Sequence, residues 1–241
     1  PPMVFPTFEA ETVDSTELGI KTDLFDGQAR ANIAAFMYDY ENLQFQATDP
    51  DPYRGGVANI PESEMSGVEI EFTGLISDNL KFDMNLAFLN SEVTADYDVL
   101  DNVDAYQYFF GEEDIRYGLR ENVKGNKLAK TPEFTADASL VYETDLASGN
   151  YMTAILQYVK RGKFEQRVSN NPAVDSIPGY DIVNLTIGVE FQNNMSIDFM
   201  LLNATDEDGI NSSMTDVFGV AATGLELIPP RQIMTRISYD F

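Results

Sequence analysis

The sequence predicts an all-β fold, an antiparallel transmembrane β-barrel, from three observations. Apolar and polar residues alternate with the strand period of two over many separate segments. The connections between those segments alternate between short and long. No run of about 18 apolar residues offers a transmembrane helix as an alternative way across a bilayer.

The clearest strand is Leu80–Phe88, where Leu80, Phe82, Met84, Leu86 and Phe88 share one face and Lys81, Asp83 and Asn85 the other. Val68, Ile70 and Phe72 lie opposite Glu69 and Glu71, and Phe134, Ala136, Ala138, Leu140 and Tyr142 opposite Thr135, Asp137, Ser139 and Glu143. Val183, Leu185, Ile187, Val189 and Phe191 oppose Asn184, Thr186 and Glu190. At the end of the chain Ile233, Thr235, Ile237, Tyr239 and Phe241 oppose Gln232, Arg236, Ser238 and Asp240. With weaker runs near Glu17–Phe25, Gln28–Phe45, Tyr151–Val168 and Met195–Asn203, the total is about nine strands.

Tight turns are expected at Asp26-Gly27, Ser77-Asp78-Asn79, Ala147-Ser148-Gly149-Asn150 and Gln192-Asn193-Asn194, compositions that accept positive φ. Long polar connections are expected over 46–63, 96–131, 169–179 and 204–230. A membrane barrel alternates in this way because one rim carries minimal turns and the other extends loops outward. A soluble sandwich or lipocalin-like barrel turns its apolar face inward and has less polarised loop lengths. Aromatics toward strand ends, Tyr142, Tyr151, Tyr180 and Phe191, are expected on the apolar face as an interfacial girdle. Bacterial single-chain barrels have even strand counts, so an odd count places further strands before Pro1, with 1–15 as the tail of a loop.

With 15 Lys+Arg against 40 Asp+Glu, the formal net charge is -25, and 44% of residues are hydrophobic. That apolar content suffices for a folded domain, while the charge repels a phosphate backbone and excludes nucleic acid as a partner. Cys, His and Trp are absent. Without His there is no Ser-His-Asp or Cys-His arrangement, so no catalytic residue, cofactor or enzymatic activity is expected. Glu69, Glu71, Asp83 and Asp137 would be costly against lipid and belong in the lumen. Lys81, Glu190 and Arg236 are expected there too, satisfied by water or by a domain filling the barrel.

The segment 229–241, Pro-Pro-Arg-Gln-Ile-Met-Thr-Arg-Ile-Ser-Tyr-Asp-Phe, resembles the closing strand of TonB-dependent receptors, which follows a Pro-Arg pair and ends on Phe. Ile237, Tyr239 and Phe241 look like the signal read by the barrel-assembly machinery. Glu17-Leu18-Gly19-Ile20-Lys21 is similar to that family's Glu-x-Gly-x-Lys strand, and 32–44 to its Asn-x-Ala-x-Phe-x-x-Asp-Tyr-x-x-x-Gln strand. Gly67-Val68-Glu69-Ile70-Glu71 matches a third strand, and Leu202-Asn203-Ala204-Thr205-Asp206 resembles the family's Leu-x-Asn-x-x-Asp strand exit. The resemblance implies a bacterial outer-membrane barrel of 22 strands, plugged by an N-terminal domain and driven by the TonB energy-coupling complex. Residues 1–241 would then be the C-terminal part of that barrel, in contact with outer-membrane lipid and a small-molecule substrate.

Function is read accordingly as active import of a scarce nutrient: a ferric siderophore, cobalamin or an oligosaccharide. A plugless porin or adhesin barrel is the alternative, since it shares the alternation and the terminal Phe. Exposed aromatics mark recognition surfaces, and Tyr106, Tyr108, Phe109, Phe110 and Arg116 are the candidates to line the outer vestibule. Packing of the loop against its neighbours is the competing explanation for them. Asp96, Asp98, Asp101 and Asp104, or Asp206, Glu207 and Asp208, could offer oxygens to Ca²⁺, but neither run has EF-hand spacing, and a solvated acidic loop is the expectation.

Overall fold

The computed structural model describes residues 7–49, 54–101, 103, 120–215 and 222–241. Nine strands form one antiparallel sheet: β1 (Thr12–Leu24), β2 (Ala29–Asp49), β3 (Arg54–Ser77), β4 (Leu80–Val93), β7 (Phe134–Asp145), β8 (Tyr151–Arg161), β11 (Tyr180–Glu190), β12 (Met195–Leu202) and β15 (Gln232–Tyr239). They follow one another in chain order across the sheet, with β1 and β15 at its edges. Three two-stranded ribbons sit in the longer connections: β5 (Asp98–Leu100) with β6 (Arg120–Asn122), β9 (Phe164–Glu165) with β10 (Ser176–Ile177), and β13 (Ile210–Thr215) with β14 (Thr223–Leu227). Among the described residues no helix is long and apolar enough to cross a membrane.

The short connections are built as their composition dictates. Between β1 and β2, Phe25, Asp26 and Gly27 all have positive φ, and the Gly27 and Gln28 amides donate to the Leu24 and Phe25 carbonyls at 3.1 Å. Gly27, at φ +86°, supplies the conformation that a side chain resists. Between β11 and β12, Asn194 is left-handed at φ 64°, and the Phe191 amide closes the turn on the Met195 carbonyl.

Register fixes which residues share a face. Ile33, Ile70, Leu86 and Ala136 pair in a row on one side. Lys21, Asn32, Glu71, Asn85 and Asp137 pair in a row on the other. Large apolar side chains on the first face stand open: Leu18, Ile20, Ile33, Met37, Val68, Phe88, Leu156, Ile187, Phe199 and Ile237 are all exposed. A soluble sandwich would have buried them. On β4 the apolar stretch runs from Leu80 to Phe88. At about 3.4 Å per residue and a tilt of about 40°, it spans roughly 21 Å, close to the height of a barrel's lipid-facing band.

On the same face the band stops at acidic residues. Asp14 pairs Asp39, Asp39 pairs Glu64, and Glu64 pairs Glu92. Like charges directly opposite are unfavourable, and they are tolerable only where water screens them. This row therefore marks the edge of the hydrocarbon on the side of the long connections.

Three expectations are corrected. Residues 46–63 are no long connection: β2 and β3 stay paired as far as Asp49 and Arg54. Their polar composition reads as loop, but a hairpin standing in water needs no apolar face toward lipid. Likewise β1 begins at Thr12, inside the stretch expected to be a loop tail. Of the four girdle aromatics, Tyr151 pairs Glu190 and Tyr180 pairs Arg161, which puts both on the polar face. Period two assigns them there, opposite in parity to Met152 and Val183, whereas Tyr142 does lie on the apolar face, paired with Leu80 and Ala154.

Gly67 faces the Phe36 ring across β2 and β3, and a Cβ there would fall 2.6 Å from Phe36 Cζ and 2.7 Å from the Phe88 carbonyl oxygen. An aromatic ring covering a strand glycine restores the packing that the missing side chain forfeits. Gly67→Val should therefore reduce the folded, heat-modifiable form seen by gel electrophoresis of the full-length protein, because backbone cannot yield as a flexible side chain would. A second comparison separates the faces: Leu86→Arg should destabilise by roughly 2–4 kcal/mol in denaturant titration, and Asn85→Arg on the polar face by much less.

Candidate functional site at the long-connection rim

The polar face is a hydrogen-bonded wall. One cross-strand row runs Asp23, Arg30, Thr73, Asp83, Ser139, Gln157, Asn184 over seven strands. Arg30 Nε donates to Asp23 at 2.8 Å, the Thr73 hydroxyl to Asp83 at 2.5 Å, and Asn184 Nδ2 to Gln157 at 3.1 Å. In the neighbouring row Asn32 donates to Glu71 at 2.9 Å, and Gln157 reaches Asp137 at 2.7 Å. Lys81 pairs with Asp83 at 2.9 Å and Arg236 with Asp198 at 2.8 Å. The carboxylates expected to face inward do so, and the cations among them find partners within the wall itself. Toward the rim of the long connections the wall turns aromatic: Phe36 and Tyr38 stack at 4.9 Å, and Tyr38 meets Tyr40 edge-on at 6.4 Å.

Beyond the wall the connections fold over the same face. Ile60, Val93, Val99, Val123, Leu128 and Val168 form a buried cluster, with Leu43, Phe45, Met65 and Tyr97 against it. Val93 pairs with Ser63, and Ser63 with Tyr40, so the cluster sits on the polar side of the sheet. Below Asn42 the even-numbered residues of β2 face that side, and above it Leu43 and Phe45 do. Asn42 has φ 59°, a left-handed residue that interrupts the pleat and reverses the parity. Burial pushes the Tyr97 phenol up from its ordinary value, with nearby Arg120 opposing.

Arg167 lies at the centre of the polar packing. Its Nε donates to Asp175 at 2.6 Å and its Nη1 to Asp101 at 3.2 Å, and both carboxylates are fully buried. Asp175 also accepts from Ser169 Oγ and the Asn171 amide, and Asp101 from Asn171 Nδ2 and the Val103 amide. Charges this deeply buried persist because each carboxylate oxygen has at least one donor and both carboxylates face the Arg167 guanidinium. Asn170, left-handed at φ 50°, joins the same two connections: its Oδ1 accepts from the Lys127 amide at 2.7 Å, and its Nδ2 donates to the Lys127 carbonyl at 3.0 Å.

Arg161 makes the next link. Its guanidinium lies between the Phe164 and Tyr180 rings, 4.6 Å from each centroid, and donates to the Asn211 and Ile210 carbonyls. In the 203–231 connection, Asn203 is buried with φ 48°, donates to the Glu207 and Pro229 carbonyls, and accepts from the Glu207 amide. Asp206 accepts from both the Arg231 amide and its guanidinium. On the adjacent ribbon, hydrogen bonds from Ser212 and Asn211 hold the Glu226 carboxyl below its ordinary value.

Tyr106, Tyr108, Phe109, Phe110 and Arg116 lie outside the described residues. Ile237 and Tyr239 stand exposed on the apolar side of β15, and Phe241 follows them with its ring 5.1 Å from that of Tyr239. The acidic runs do not converge on a cation. Asp96 pairs with Lys124, Asp98 accepts from Asn122, Asp206 binds Arg231, and Asp104 lies outside the described residues. Asp101 is not solvated as expected but buried, tied to Arg167 and Asn171. Among the described residues no three carboxylates gather to hold a metal. The residues that sequence reasoning passed over are the arginines and asparagines tying the rim; their one visible signal is that basic residues are scarce, 15 Lys and Arg in the chain, yet Lys160, Arg161, Lys163 and Arg167 fall close together.

The wall, the exposed apolar band and the capped rim together define a segment of an outer-membrane β-barrel. The family model for the TonB dependent receptor-like β-barrel matches residues 2–204, and the chain belongs to that family. Among solved structures it is similar to the ferric yersiniabactin uptake receptor FyuA from Yersinia pestis, at 17% identity and a TM-score of 0.72, covering 96% of this chain and 30% of that one. The siderophore receptor PiuA from Acinetobacter baumannii matches at 18% identity and a TM-score of 0.66, covering 93% and 27%. The copper transporter OprC matches at 15% identity and a TM-score of 0.68, covering 98% and 32%. The chain thus spans about a third or less of each of these structures. No match is found among curated proteins.

The Leu202–Asp206 strand exit and the Pro229-Pro230-Arg231 run meet physically: Asn203 donates to the Pro229 carbonyl and the Arg231 amide to Asp206. Asn203→Ala removes four part-buried side-chain hydrogen bonds, the one from Thr205 being the longest at 3.5 Å, and strains the left-handed backbone. It should cost about 1–3 kcal/mol, measured by denaturant titration of the full-length receptor, and Asn203→Gly should recover only the part due to backbone strain.

Proposed function

We propose that this chain is the C-terminal part of a TonB-driven receptor that imports a scarce nutrient across the outer membrane, and that it acts as a transporter rather than an enzyme. The observation that carries the proposal is the family match over a sheet whose polar face is cross-linked by hydrogen bonds and whose apolar face is open. Among the described residues β1 and β15 are edges. An unpaired strand edge in hydrocarbon leaves amides that cost several kcal/mol each, so further strands complete the barrel, 22 in all by family pattern. A plug domain and the coupling peptide for the TonB complex belong to the remainder.

The cargo is a small molecule, and a ferric siderophore is the favoured class, since FyuA and PiuA are described as ferric yersiniabactin and siderophore receptors. Tyr106, Tyr108, Phe109, Phe110 and Arg116 supply flat, slowly reorganising contact area at the vestibule. Ile237, Tyr239 and Phe241 present the assembly signal on the lipid side of the last strand.

The test is uptake of labelled ferric siderophores by cells carrying the full-length gene, with and without TonB and the proton gradient. Uptake that needs both supports energised transport, and equal uptake without either overturns it in favour of a passive pore. Replacing the five vestibule residues with Ala should lower uptake at least tenfold with barrel assembly unchanged. Undiminished uptake removes their assigned role.

A further inference from the structure

We propose that the free side of the β13–β14 ribbon is an interaction surface within the same polypeptide, where Leu225 and Leu227 are covered by an apolar segment rising from the strand that pairs with β15. The inference rests on the reading that further strands complete the barrel, and it carries the closure of that barrel above the membrane.

The ribbon has two unlike faces. Ser213 pairs with Leu225 and Thr215 with Thr223, so these four share a face with Leu227, two positions further along β14. Glu226 lies on the opposite face, where its carboxylate accepts from Ser212 Oγ at 2.6 Å and from Asn211 Nδ2 at 3.2 Å. Met214, paired with Gly224, is on that second face and 79% exposed. The first face is covered on one strand only. Ser213 and Thr215 of β13 are buried, because β13 lies beside β10: the Ser213 amide donates to Gln166 and its hydroxyl to the Val174 carbonyl. On β14 the same face is bare, with Leu225 56% and Leu227 58% exposed. The cover stops halfway across the ribbon, and the uncovered half is the one that carries leucine at alternate positions, the pattern of a strand face packed against a neighbour.

Position identifies that neighbour. The ribbon continues β12 and β15 outward: Leu202 pairs with Gln232, the Ile228 amide donates to the Gly209 carbonyl at 2.9 Å, and Ile210 pairs with Leu227. Arg161, on β8, donates to the Ile210 and Asn211 carbonyls and so ties the ribbon to the sheet. With β10 on the β13 side, the bare side of β14 lies on the side of β15 that is a free edge among the described residues. Inside hydrocarbon that edge has to be paired by another strand of the barrel. The continuation of that strand out of the membrane is the segment placed to reach Leu225 and Leu227, and a second copy or a separate protein would have to displace it.

Photocrosslinking in cells expressing the full-length protein tests this. A benzophenone amino acid placed at Leu225 should join, within one polypeptide, to the segment just outside the strand that pairs with β15, located by mass spectrometry. The same group at Thr235, on the lipid face of β15, should join to that strand itself. If Thr235 reaches no other strand of its own chain, the reading that further strands close the barrel falls, and this proposal with it. A Thr235 link accompanied by no link from Leu225, or by one from Leu225 to a second copy, to another protein or to a distant part of the chain, overturns this proposal alone. A second measurement leaves the fold nearly untouched: on intact cells Leu225→Cys should react with a membrane-impermeant maleimide more slowly than Met214→Cys, by about tenfold or more. Equal rates at the two positions would overturn the assignment of Leu225 to a covered surface.

Discussion

A backbone amide in hydrocarbon has no water to turn to, and that single requirement organises the rest of this molecule. It forces the spanning segments into neighbouring strands, so the nine strands pair in chain order with only tight turns joining them at one rim. Once the backbone is paired, side chains divide by parity into a face that must be apolar and a face that must not be. The apolar face carries no requirement beyond matching lipid, and its open leucines and isoleucines have no specific partners. The opposite face carries the information: carboxylates, amides and cations in cross-strand rows that satisfy one another.

Because the constraint acts at period two, the strands were legible residue by residue. Leu80–Phe88 and Val183–Val189 read as strands because each second residue answers to a different solvent. The turns were legible as well, since Gly27 and Asn194 sit where positive φ is needed. Legibility failed just where the lipid stops. Residues 46–63 look like a loop because a hairpin in water keeps its hydrogen bonds but is released from the apolar rule. Tyr151 and Tyr180 were misplaced for a different reason: the expectation of a girdle overrode their parity, which assigned them correctly.

The rim was far less legible. Arg167 and Asp101 are 66 positions apart and Asn126 and Val168 42, and no local period connects them. An aspartate in an acidic run looks solvated, and only the arrival of Arg167 from another connection makes burial of Asp101 possible. Asn42, Asn170 and Asn203 were similarly ambiguous in sequence. Each adopts a left-handed backbone, and the last two also close hydrogen-bonded corners, so their role is to redirect the chain as much as to bond it. The family motifs pointed to part of this. The asparagine and aspartate of the β12 exit and the arginine preceding β15 stood in two separate motifs of the sequence, and here Asp206 and Arg231 touch.

The reciprocal ties across the rim also bear on how such a surface changes over generations. Residues that share a network do not contribute independently, so substitutions within it have effects that differ from the sum of their parts. A replacement at Asp101 would be judged by what stands at 167, 171 and 175, and a shortened 162–179 connection by what 126 and 127 still present to it. Variation on this side of the mouth is therefore channelled into matched sets, and single substitutions that leave the ties alone fall on the outward surfaces between them.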